Sequence, residues 1–230
     1  MNVARLSMVI ALTALGCQSK ATPERPSVSS LQPATSTSAL SASVAAAEGP
    51  AALGAPAPDF KLPDLDGNSV SLSSFRGKTV VLEWFNPECP FVKASHTKGS
   101  LKGTAARYAD KGVVWLAINS NAPGKQGAGR EINSAARDKF GLKHPILLDE
   151  SGAVGKLYGA QRTPHLFVID PSGNLVYRGA PDNSPDGEGD SPTSGTLVRH
   201  IDVVLSELEG KKPISVKETE AYGCSVKYGG

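Results

Sequence analysis

Cysteine is scarce in this 230-residue chain, which carries only Cys17, Cys89 and Cys224. That is too few to staple a small fold, and the spacing matches no zinc site. An excess of charge of one sign is also missing. The formal net charge is +2 with no long basic run, which argues against nucleic acid as a partner. The apolar segment 6–16 falls short of the roughly 20 residues that a membrane-crossing helix needs. What is present is the composition of a packed core, 40% hydrophobic and 20% charged, on a length that allows one ordinary domain with extensions.

The N-terminus reads as an export signal, with Arg5 ahead of the apolar segment 6–16. Its ending, LTALGC, resembles the lipobox of bacterial lipoproteins, although Ala14 stands where a leucine is usual. The resemblance implies that 1–17 is a signal peptide, that Cys17 is lipidated, and that the protein is exported and anchored to a membrane, in the periplasm or at the cell surface. A cleaved signal with an incidental cysteine is the alternative. Ser, Thr, Ala and Pro dominate residues 18–52, with no aromatic. Such a segment buries too little apolar surface to offset its ordering entropy, so it is predicted to be a disordered linker.

Residues 53–230 are predicted to fold. Short alternating segments at 59–62 and 69–72, with turn residues between them, predict a β-hairpin. The apolar runs 79–85, 113–119 and 145–148 predict buried strands. Helices are expected from Pro90 to about Asp110, weakened by Gly99 and Gly103, and at 130–140, 152–158 and 196–208, the last strongly amphipathic. Strand 165–170, turn 171–174 and strand 175–178 read as a second hairpin. Residues 180–195 read as a solvated acidic loop whose spacing does not fit a calcium site. The alternation implies an α/β fold with a central sheet flanked by helices.

The stretch VVLEWFNPECPFVK, residues 80–93, organises this domain. An apolar strand runs into a helix that starts at Cys89, with Pro90 suited to the first helical position. A thiol at the positive end of a helix dipole favours the thiolate, the nucleophilic form. A buried structural cysteine is the alternative.

Three features resemble the thioredoxin-like superfamily, in particular its redoxin (AhpC/TSA, peroxiredoxin-like) branch. They are the opening APDFKLPDLDGNSVSLSSFRGKTVVLEWF, Cys89 at a strand-to-helix junction, and Thr163-Pro164 before LFVID. The CPFVK and GCSVKY segments resemble bacterial peroxiredoxin-like redoxins. The resemblance implies a thioredoxin-like fold, a cis-proline at Pro164 packed against the active cysteine, and thiol oxidoreductase activity without a cofactor.

The CxxC motif of that superfamily is absent, because Val92 occupies its second position. Cys224 is then the candidate resolving cysteine for a nucleophilic Cys89, on a tail expected to be mobile; an interchain bond or a free thiol is the alternative. Glu83 matches the buried acid of thioredoxins, and burial is expected to raise its pKa and suit it to proton transfer. The alternative is an exposed or salt-bridged carboxylate. Thr163 and Pro164 are expected to shape the pocket. Arg162 is a candidate for stabilising the sulfur or a peroxide oxygen, and Lys93 for lowering the thiol pKa; solvated side chains are the alternatives. His96, two turns along the helix, is read as structural, while His165 is a weaker candidate for lining the site. The peroxiredoxin pattern PxxxTxxC is degraded, with Leu82 for its proline and Asn86 for its threonine. Three functions compete: a peroxidase, a disulfide exchanger with a protein partner and a reducing thiol protein, and a non-enzymatic redox sensor or binding module. A copper chaperone is disfavoured because Lys93 replaces the second cysteine of a CxxxC pair.

Overall fold

The computed structural model describes residues 49–229. The signal segment, Cys17 and the linker up to residue 48 lie outside the described residues. Order begins slightly earlier than the sequence predicts: Ala51 is buried and its N–H donates to the Leu157 carbonyl at 2.9 Å.

A small antiparallel hairpin, β1 (Lys61–Pro63) and β2 (Ser69–Ser71), precedes the central sheet. Its turn is built by Asp64, whose Oδ1 accepts the N–H groups of Asp66 and Asn68. The sheet is formed by β3 (Val80–Trp84), β4 (Val114–Asn119), β5 (Ile146–Leu148), β7 (His165–Ile169) and β8 (Leu175–Gly179), in the order β5-β4-β3-β7-β8. Strands β3, β4 and β5 are parallel; β7 runs antiparallel to β3 and β8 antiparallel to β7. The first three are buried throughout apart from Val114, which explains why they read as continuous apolar runs rather than alternating ones.

Both faces of the sheet are covered. Leu82, Trp84, Leu116, Ile118 and Phe167 pack on one side with Tyr158 of α4 (Ala153–Tyr158). Val81, Trp115, Leu166, Val168 and Tyr177 pack on the other with Ile201, Val204 and Leu205 of α5 (His200–Glu209). The period-two alternation of β3 places Glu83 on the Val81 side. Helix α3 (Arg130–Phe140) has the predicted bounds and ends at Gly141 in the left-handed conformation, φ +64°.

Three expectations are corrected. The helix from Pro90 is two helices, α1 (Pro90–Thr97) and α2 (Thr104–Ala109). Gly99 stands where the carbonyl of Gly187 approaches so closely that a Cβ would overlap it, and Gly103 opens α2 at φ +67°. The loop 180–195 is accordingly not a solvated loop. Asp182 and Ser184 are buried, and Gly187 lies against α1. The same loop shortens α5: Asn183 binds the Thr196 carbonyl and the Val198 N–H, holding 196–199 outside the helix.

Candidate active site

Cys89 is the N-cap of α1, with Pro90 following, as the sequence predicts. The turn before it is closed by Asn86. Its carbonyl accepts the Cys89 N–H, its Oδ1 accepts the Glu88 N–H at 2.9 Å, and its side chain is buried. Glu88 in turn accepts the N–H of Gly127 at 2.7 Å, pinning the glycine-rich loop onto this turn. Asn86 is thus committed to local structure.

The Cys89 thiol does not turn back to cap its own helix. It is wholly buried, and Sγ donates to the carbonyl of Thr163 at 3.1 Å. Thr163 and the cis-linked Pro164 therefore sit beside the sulfur, as expected. Thr163 belongs to a two-residue strand, β6 (Arg162–Thr163), paired with β9 (Cys224–Ser225) so that Thr163 lies opposite Cys224. The Thr163 hydroxyl also donates to the Cys224 carbonyl at 3.4 Å. The half-buried Cys224 side chain packs against the same apolar cluster as Cys89. Burial, then the proximity of Cys89, push the Cys224 thiol up to about 11, against a smaller opposing effect of Lys227. Both thiols are free.

The segment carrying Cys224 is not the mobile tail the sequence suggests. Val226 is buried, the Lys227 carbonyl accepts the Ala122 N–H, and the Tyr228 hydroxyl donates to the Ala160 carbonyl at 2.7 Å. Gly223, at φ +104°, brings the chain in; a Cβ there would overlap the Thr163 carbonyl that receives the Cys89 thiol. Earlier in the tail, backbone bonds run between Arg178 and both Lys217 and Thr219.

Glu83 is buried, as expected, but its environment differs. Oε1 lies 2.7 Å from His96 Nε2, and Oε2 accepts from Trp115 Nε1 at 2.9 Å. Burial alone would raise this carboxyl; the charge and hydrogen bond of His96, then His144 and Trp115, outweigh it and hold the carboxyl below the usual range. The expected raised pKa is therefore corrected, and neither oxygen bonds to Cys89. His96 is the residue that sequence reasoning undervalued. It lies seven positions after Cys89, on the inward face of α1 with Val92, and that spacing was the available signal. Its ring stacks on Phe140 at 5.6 Å and meets Phe85 edge-on at 5.8 Å.

Arg162 is not brought to the sulfur. It is exposed, on the ribbon face opposite Thr163, and lines a cavity of about 560 Å³ with Asp182, His200, Tyr222 and Gly223. Lys93 is exposed, joined to Cys89 only through its backbone N–H. His165 is buried against Phe167, at 4.5 Å between rings. Among the described residues no helix is long and apolar enough to cross a membrane.

Comparison with known proteins agrees with this geometry. A family profile described as Redoxin matches residues 52–197. The chain is 32% identical over 124 residues to the thiol-disulfide oxidoreductase ResA of Geobacillus kaustophilus (strain HTA426), covering 54% of this chain and 67% of that protein. It is 33% identical over 129 residues to the chloroplastic peroxiredoxin Q of Suaeda salsa, covering 52% of this chain and 56% of that protein. The crystal structure of a hypothetical protein, SMc02350, from Sinorhizobium meliloti 1021 superposes with a TM-score of 0.67 at 30% identity, covering 77% of this chain and 95% of that one. The chain belongs to the Redoxin family and is a thiol-dependent oxidoreductase on a thioredoxin-like fold.

Proposed function

We propose that Cys89 and Cys224 form a reversible dithiol–disulfide couple that exchanges electrons with a protein thiol partner. The observation that carries this reading is the placement of the two cysteines: Cys224 is paired opposite Thr163, whose carbonyl receives the Cys89 thiol, and both side chains pack in one apolar cluster. One sulfur attacks a partner disulfide and expels one partner thiolate. The other then attacks the mixed disulfide, expels the second partner sulfur and closes the Cys89–Cys224 bond. The two cysteine protons end on the two partner thiols, and a reducing thiol protein reverses the sequence. Disulfide exchange is favoured over peroxide reduction because, among the described residues, no charged or amide side chain hydrogen-bonds to the Cys89 sulfur. Asn86 is spent on its own turn, and Arg162 lies on the far side of the ribbon. Peroxide is the second reading, favoured by the likeness to peroxiredoxin Q.

Glu83 and His96 act as positioning residues. Their bond fastens α1 to β3, and so fixes the helix start on which Cys89 sits. The export-signal pattern of residues 1–17 supports an extracytoplasmic location with a lipid anchor at Cys17, and an oxidising compartment suits a cysteine pair of this kind.

The test equilibrates the protein with reduced and oxidised glutathione, then measures disulfide reductase turnover and hydrogen peroxide consumption. A Cys89–Cys224 disulfide that is lost in Cys89→Ser and Cys224→Ser, with exchange faster than peroxide consumption, is expected. Peroxide consumption outpacing exchange establishes the peroxidase instead, and failure of the two cysteines to pair removes the couple.

A further inference from the structure

The two sulfurs are not equivalent to an incoming molecule. Cys89 has no accessible surface and its thiol is held on the Thr163 carbonyl. Cys224 is half-buried on a strand at the surface. The tail that carries Cys224 packs against the cluster that holds Cys89, and it is fastened on both sides of the cysteine, at Thr219 and at Tyr228. Of the two sulfurs, Cys224 belongs to the residue with exposed surface, so a reductant arriving from solvent meets it first.

We propose that Cys224 is the partner-facing sulfur: in the oxidised protein a reducing thiolate attacks Cys224 and Cys89 is the leaving group. This inverts the order the sequence suggests, in which Cys89 meets the partner and Cys224 resolves, and it rests on the two cysteines forming a couple. The incoming thiolate forms a new S–S bond to Cys224 as the Cys89–Cys224 bond breaks. The electron pair goes to the Cys89 sulfur, which takes a proton from solvent and returns to its bond with the Thr163 carbonyl. A second reductant thiol then attacks the mixed disulfide, releasing the Cys224 thiol and the oxidised reductant. One disulfide and two thiols thus become two thiols and one disulfide.

The experiment uses the wild-type chain, oxidised first and shown by mass to hold a Cys89–Cys224 disulfide. Glutathione is added, the reaction is quenched in acid, free thiols are alkylated, and the adducts are located by peptide mass spectrometry. At least tenfold more glutathione on Cys224 than on Cys89 is expected, with the preference abolished when guanidinium unfolds the protein before the thiol is added. Glutathione mainly on Cys89, or equally on both, overturns the assignment. Absence of the disulfide at the first step counts against the couple itself, and is read before any glutathione is added.

Discussion

Nε2 of His96 and Oε1 of Glu83 lie 2.7 Å apart, with the histidine side chain 3% exposed and the carboxylate not exposed at all. A buried pair of this kind is a poor source of net stability but a costly one to break, because the remaining charge is left without its partner. His96→Leu is expected to destabilise the protein by about 3–5 kcal/mol. The double variant Glu83→Leu/His96→Leu is expected to lose less than the sum of the single variants. Urea denaturation of the four proteins at pH 7 measures both. Strictly additive losses would show that the pair is not coupled.

Acid should weaken the fold well before carboxylates titrate. Burial pushes both His144 and His165 down to about 4, with His96 adding to the shift at His144 and Arg178 at His165. Each binds its proton in the unfolded chain near 6.5 but not in the folded one until about 4. Stability is therefore fully present above 6.5 and falls as pH drops through the window from 6.5 to 4. The slope is about 1.4 kcal/mol per pH unit for each histidine, reaching about 3 kcal/mol apiece. Glu83, held below its usual range, acts in the same direction at still lower pH. Chemical denaturation between pH 7 and pH 4.5 reads the slope, and His165→Phe should flatten it.

Gly223→Ala should disturb the thiol pair itself. The added Cβ overlaps the Thr163 carbonyl, and φ +104° is unfavourable to alanine. The expected outcome is a loss of about 1–3 kcal/mol together with a changed glutathione equilibrium for the Cys89–Cys224 disulfide. An unchanged equilibrium would mean that the carbonyl does not need its present position.

Tyr228→Ala tests the clamp on the tail. The ring fills the space that Gly152 and Gly155 leave open, and its hydroxyl reaches the Ala160 carbonyl. Removing a half-buried aromatic side chain with its hydrogen bond should cost about 2 kcal/mol. It should also speed alkylation of Cys89 in the reduced protein, as the cover over it loosens. Alkylation at the wild-type rate would place the hold on Cys224 elsewhere, at Val226 or Thr219.

The order of strands and helices was legible because β3, β4 and β7 are continuous apolar runs and α3 is cleanly periodic. Cys89 at the helix start and the cis bond before Pro164 followed from local pattern and the redoxin likeness. The rest was hidden for physical reasons. The break between α1 and α2 depends on the Gly187 carbonyl, which arrives from a segment far away in sequence. The ordering of 180–195 depends on Asp182 Oδ1, which accepts the Ser184 N–H and the Tyr222 hydroxyl. Glu83 was correctly expected inside, yet its charge state is decided by His96 and Trp115 from two other elements. Cys224 was expected on a free tail because a two-residue strand has no periodicity to read.

The β6–β9 ribbon also bears on biosynthesis. A chain made from its N-terminus presents Cys89 on the order of ten seconds before Cys224 emerges. By the end of that interval β3, β4, β5 and β7 have all emerged, yet the sulfur at the start of α1 still has no second thiol beside it. A nascent molecule is therefore open to adducts that the finished one excludes. Docking of the last strand converts an exposed thiol into a protected pair, and any early modification of Cys89 must be cleared before that strand can seat.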